Sequence, residues 1–91
     1  MKKVMRFTAS WCGPCKMLEK TLQEVNLGVP IEVIDIDNDP TLATEFKVRG
    51  VPTLVLVEDN IEKKRLVGNK TKQNENIKTI KTVKTVKIVK N

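Results

Sequence analysis

At 91 residues the chain has material for one modest hydrophobic core and not for two, so a single domain over 1–91 is expected. Its apolar content of 40% suits a globular fold, and aromatics at only 3% leave the core to Val, Ile and Leu, a composition that leans towards sheet. No apolar run approaches the roughly 20 residues that a bilayer requires, and Met1 to Arg6 leads into polar sequence rather than a signal-peptide core, which argues against a membrane protein and makes the cytoplasm the default location.

The formal charge of +6 would suit a nucleic-acid or membrane partner, but its distribution weakens that reading. Residues 1–66 carry ten Lys/Arg against ten Asp/Glu, whereas residues 67–91 carry seven Lys against one acid, Glu75. The basic excess therefore belongs to the C-terminal segment, and nucleic acid is not expected as a partner of the remainder. Nothing in the sequence points to an oligomer, so a monomer is expected.

A first strand is expected near residues 2–8, where Val4, Met5 and Phe7 supply apolar positions over strand length. From Pro14 to Asn26 the apolar residues Met17, Leu18, Leu22 and Val25 recur at helical spacing between good helix formers. Pro14 suits the first turn, where its missing amide hydrogen costs nothing, and Gly28 is the expected left-handed stop. Residues 31–37 are short and β-branched, which predicts a largely buried second strand ending in the turn Asn38-Asp39-Pro40. A short helix over 41–47 would turn Leu42 and Phe46 inward. A loop through Val48-Arg49-Gly50-Val51-Pro52-Thr53 then leads to the apolar run 54–57, and a turn at Glu58-Asp59-Asn60 joins it to 61–67 as an antiparallel hairpin closed by Gly68.

In the tail an apolar residue stands at every third position, Ile77, Ile80, Val83 and Val86, each followed by Lys. That spacing slips about 60° per repeat around a helix, and in a strand it would alternate faces. A helix over about 73–89 packed on the sheet is the preferred reading, with its lysines as a solvated face.

Chemistry is carried by Trp11-Cys12-Gly13-Pro14-Cys15-Lys16, placed where a strand gives way to a helix. Two cysteines at this spacing can close a small disulfide ring. The first would lie beside the free amides and the positive end of the helix dipole, both of which stabilise a thiolate. Because the thiolate is the nucleophile in disulfide exchange, Cys12 is the expected attacking thiol. Cys15, about one turn inside the helix and more sheltered, would resolve the mixed disulfide and leave Cys12–Cys15 oxidised. A zinc site would need further ligands, but the sequence has two Cys and no His. No metal and no cofactor beyond the redox-active disulfide are expected.

The hexapeptide from Trp11 to Lys16 resembles the active site of the thioredoxin family residue for residue, and Arg49-Gly50-Val51-Pro52-Thr53 resembles the family loop that carries a cis-proline against the disulfide. Ile36-Asp37-Asn38-Asp39-Pro40 and Val67-Gly68 are similar as well, so the resemblance covers about residues 3–68. It implies an α/β thioredoxin-like fold with a central four-stranded mixed sheet flanked by helices. It also implies that Pro52 keeps the chain near the sulfurs, that Val51 offers backbone groups to an extended substrate, that Trp11 flanks the site, and that Gly13 and Pro14 tune the redox poise. The implied partners are disulfide-containing proteins and a thioredoxin reductase as electron donor.

Two departures stand out. Family members usually begin with an extra strand and helix, for which the residues before Lys3 leave no room, so a minimal form is expected. They also carry a buried Asp six residues before the nucleophile, where this chain has Arg6, and its usual Lys partner aligns with Val33. Either another group, Asp35 or a water, would then serve as base or the second step would be slower, and Arg6, if it pointed at the sulfurs, would favour thiolates. Reduction of protein disulfides is the leading function. The alternatives are a glutaredoxin-like, glutathione-linked reductase and a non-catalytic accessory subunit whose contact surface is the basic tail.

Overall fold

The computed structural model describes residues 1–68 together with Thr71, Ile77 and Ile80. The elements are β1 (Lys2–Thr8), α1 (Gly13–Glu24), β2 (Ile31–Asp35), α2 (Pro40–Glu45), β3 (Thr53–Glu58) and β4 (Ile61–Val67). They form one four-stranded sheet in the order β2-β1-β3-β4, with β1 parallel to β2 and antiparallel pairing elsewhere. This is the expected mixed α/β sheet.

Side-chain alternation along β1 divides the core. Val4 joins Leu18 of α1 with Leu54, Leu56, Leu66, Ile77 and Ile80 on one face. Met5 and Phe7 join Ile34, Val55 and Val57 on the other, where Leu42 and Phe46 of the α2 region cover them. β1 and β3 are thus apolar on both faces, because each has helix or chain packed above and below it. Each fully buried side chain of this kind contributes about 1.5–3 kcal/mol of transfer free energy. Ile77 and Ile80 are the first two residues of the every-third stripe, and both lie in this core. The rest of the helix expected over 73–89 falls outside the described residues.

Two expectations need correction. The second strand is not largely buried: it stands at the sheet edge, and Ile31, Glu32 and Val33 are exposed. β-branched content signals a strand but does not distinguish a central one from an edge. The first helix ends at Glu24 rather than Asn26, and Gly28 is not its cap. Val25, already extended, closes it by donating its N–H to Thr21 O, whereas Gly28 donates to the side chain of Asn26 in the next turn, at φ 74°. Elsewhere the boundaries moved by only a residue or two. At the hairpin tip Asp59 and Asn60 both take positive φ, the requirement of a tight turn that matches strand twist.

Arg65 ties β4 to the end of α2. Its Nη2 donates to Phe46 O at 2.6 Å and to Glu62 Oε1 at 2.8 Å, and its Nε donates to Glu62 Oε2 at 2.8 Å. These hydrogen bonds hold the Glu62 carboxyl below its usual range and raise Arg65. A depressed carboxyl stabilises the fold above its unfolded pKa, and that contribution is lost as pH falls through the folded value. Arg65→Ala is therefore expected to cost on the order of 1 kcal/mol near neutral pH, since the pair is partly solvent-screened. In urea titrations the gap to wild type should narrow below about pH 4 as Glu62 protonates.

Candidate active site

β1 ends at Thr8, and the chain turns through Ala9, Ser10 and Trp11 before α1 begins. Cys12 is the N-cap of that helix: its backbone is extended and its Sγ accepts the N–H of Cys15 at 3.1 Å. Pro14 stands in the first turn, where the helix gives up no hydrogen bond. That turn carries no acidic side chain, so nothing there offsets the positive end of the dipole. A negative charge on Cys12 Sγ thus meets both an N–H donor and a favourable field.

The sulfurs of Cys12 and Cys15 are joined in a disulfide, with the two Cα atoms 5.3 Å apart. Both residues are buried, at 4% and 1% exposure, so the expected difference in shelter is small in this oxidised form. Around them lie Ala9, Ile36 and Val51, an apolar wall. Gly13 and Pro14 are exposed between the cysteines, and a Cβ at Gly13 would meet nothing within 4 Å, so approach to the disulfide is open on that side.

The second expected segment does come to the sulfurs. The Val51–Pro52 bond is cis, Val51 packs against the cysteine pair, and Pro52 is buried. Pro52 O accepts the N–H of Gly68 at 3.0 Å, and Thr53 Oγ1 donates to Gly50 O at 2.8 Å, which fixes the loop from both sides. Trp11 is 67% exposed on the rim, and its Nε1 donates to Asp37 Oδ2 at 3.0 Å.

Sequence reasoning gave no role to Asp37 or to Ile36. Their signal was their place in the tract after β2, but adjacency to Trp11 and to the cysteines arises only when parallel β1 and β2 bring their C-terminal ends together. Asp37→Ala should free the indole, lower the rate of disulfide reduction several-fold and leave the fold within about 0.5 kcal/mol, as befits an exposed hydrogen bond. Tryptophan fluorescence beside a turnover assay checks both.

Arg6 is on the α1 side, where it lines a groove with Glu19, Leu22, Gln23, Ile31 and Val33. Asp35 accepts the N–H of Asp37 on Oδ1 at 2.9 Å. Among the described residues no group of three or more His, Cys, Asp or Glu side chains could hold a metal, and no helix is long and apolar enough to cross a membrane.

The family model for thioredoxin matches residues 1–87. The chain is 40% identical over 72 residues to the thioredoxin of Mycolicibacterium smegmatis, a match covering 72% of this chain and 64% of that protein. It therefore spans less than two thirds of that relative's length. A bifunctional thioredoxin reductase/thioredoxin of Mycobacterium leprae is 39% identical over 70 residues, covering 72% of this chain and 15% of that protein. Among solved structures, a mutant thioredoxin from Halobacterium salinarum NRC-1 superposes with a TM-score of 0.79 at 34% identity, covering 90% of this chain and 74% of the other. With the sheet order, the capped cysteine pair and the cis-proline loop in place, this match over nearly the full length establishes that the chain belongs to the thioredoxin family.

Proposed function

We infer that the protein reduces disulfide bonds in other proteins by dithiol–disulfide exchange through Cys12 and Cys15. The observation that carries this reading is the seat of Cys12 Sγ at the α1 N-cap, accepting the Cys15 N–H beside an open Gly13. The Cys12 thiolate attacks one sulfur of the target disulfide and expels the other as a thiolate, which takes a proton from water. Cys15, deprotonated to water, then attacks Cys12 Sγ. The second target sulfur leaves, the target has gained two electrons, and Cys12–Cys15 is oxidised. No further cofactor enters this balance.

In this reading Val51 and Pro52 flank the sulfurs and present backbone to an extended target segment, Trp11 forms the rim, and Gly13 with Pro14 sets the poise. The electron donor is a thioredoxin reductase, a reading supported by the relative that is named as reductase and thioredoxin together. The match over residues 1–87 supports a single domain over 1–91, and such a reductant belongs in a reducing compartment such as the cytoplasm. Reduction of insulin with dithiothreitol as electron source tests the proposal. The wild type is expected to accelerate it without glutathione; no acceleration, or acceleration only with glutathione, would overturn the reading.

A further inference from the structure

Among the described residues β2 pairs on one side only, with β1. Pro30 O accepts from Val4 N–H and Ile36 N–H donates to Thr8 O, so the even-numbered residues between them turn their backbone groups towards β1. The odd-numbered Ile31 and Val33 therefore direct N–H and C=O to the open edge. Both side chains are exposed, Val33 at 56%, and both line the shallow groove that also holds Arg6.

Arg6 is unusual in that groove. It is only 8% exposed, yet among the described residues it makes no ion pair and no side-chain hydrogen bond. Glu19 lines the same groove without pairing with it. Among the described residues no buried side-chain nitrogen or oxygen lacks a partner, so it is the Arg6 stem that is covered while its unpaired guanidinium opens to the groove. Arg6 is also the register partner of Val33, so its long side chain needs to pass over only one strand, about 4.8 Å, to reach the open edge.

We propose that the β2 edge binds an extended segment of a partner protein as an added strand, with a Glu or Asp of that segment opposite Val33 paired to Arg6. Ile31 and Val33 supply the ladder hydrogen bonds to the guest backbone and an apolar floor for its flanking side chains. The guest residue opposite Val33 lies two strand spacings, about 10 Å, from the Arg6 backbone, a gap that the two side chains close from opposite sides. Charge complementarity selects an acidic guest. The edge itself, five residues long, is too short to bury what a stable dimer of this chain needs.

The test uses the intact protein, labelled with nitrogen-15, and a capped heptapeptide alternating valine and threonine around one central glutamate. Amide shifts are expected at residues 31–35 and at the Arg6 side chain. The glutamine counterpart should bind about 5- to 10-fold more weakly and the lysine counterpart not measurably. Val33→Glu, which sets a carboxylate of the chain's own beside Arg6, should abolish binding and leave insulin reduction unchanged. Equal binding of the glutamate and lysine peptides, no shift along β2 at millimolar peptide, or concentration-dependent self-association in its place would each overturn the proposal. Binding is read without thiol chemistry, so its failure stays distinct from failure of the redox reading.

Discussion

Cys12→Ser is expected to bring insulin reduction down to the uncatalysed background, a loss of at least about a thousandfold, or ~4 kcal/mol of barrier. A thiolate at position 12 is stabilised by the Cys15 N–H and the positive end of the α1 dipole, whereas an alcohol at the same place stays protonated and does not attack sulfur. The substitution is also mild for the fold. Serine is among the best N-cap residues, so its Oγ can take over the hydrogen bond from Cys15 N–H that Cys12 Sγ now accepts. Circular dichroism and the urea midpoint of the variant should therefore be compared with reduced wild type, which lacks the cross-link as well. Unchanged secondary structure with lost turnover assigns the defect to chemistry. Turnover that survived would remove Cys12 as the nucleophile and leave the helix start as a structural cap.

Much of this site was legible in the sequence, because its parts are local. A cysteine at a helix start, a proline one residue into the helix and a glycine between them are fixed by spacing within a single turn, and the structure places Cys12, Gly13, Pro14 and Cys15 accordingly. The hairpin was legible for the same reason: Asp59 and Asn60 tolerate the positive φ that the tip demands, and β4 runs over Ile61–Val67 as its alternation suggests. What was not legible depends on neighbours. Val33 and Ile34 are both β-branched and adjacent, yet one is exposed and the other buried, since only strand order decides that β2 is an edge. The direction of Arg6 likewise followed from its register with Val33 and from the α1 residues across the groove, not from its count before Cys12. The contact between Trp11 and Asp37, 26 residues apart, needed the parallel pairing of β1 with β2.

Cys15→Ser should behave in the opposite way to Cys12→Ser: the first step proceeds and the second stops. Cys12 attacks the target disulfide as before, but the residue beside it can no longer expel the target sulfur, so a covalent complex through Cys12 accumulates. Intact-mass analysis should find protein plus target joined one to one, a species that dithiothreitol releases and that wild type shows at no more than trace levels. Position 15 is 1% exposed in the apolar wall of Ala9, Ile36 and Val51, so a serine hydroxyl there bears a burial cost of about 1–3 kcal/mol if it finds no partner. Cys15→Ala, which buries no polar group, separates that effect from the chemistry. Trapping by both variants establishes Cys15 as the resolving thiol. If neither variant accumulates the complex while Cys12→Ser is inactive, resolution comes from an external thiol, and turnover should then rise with the concentration of that thiol rather than saturate at the rate of an internal step.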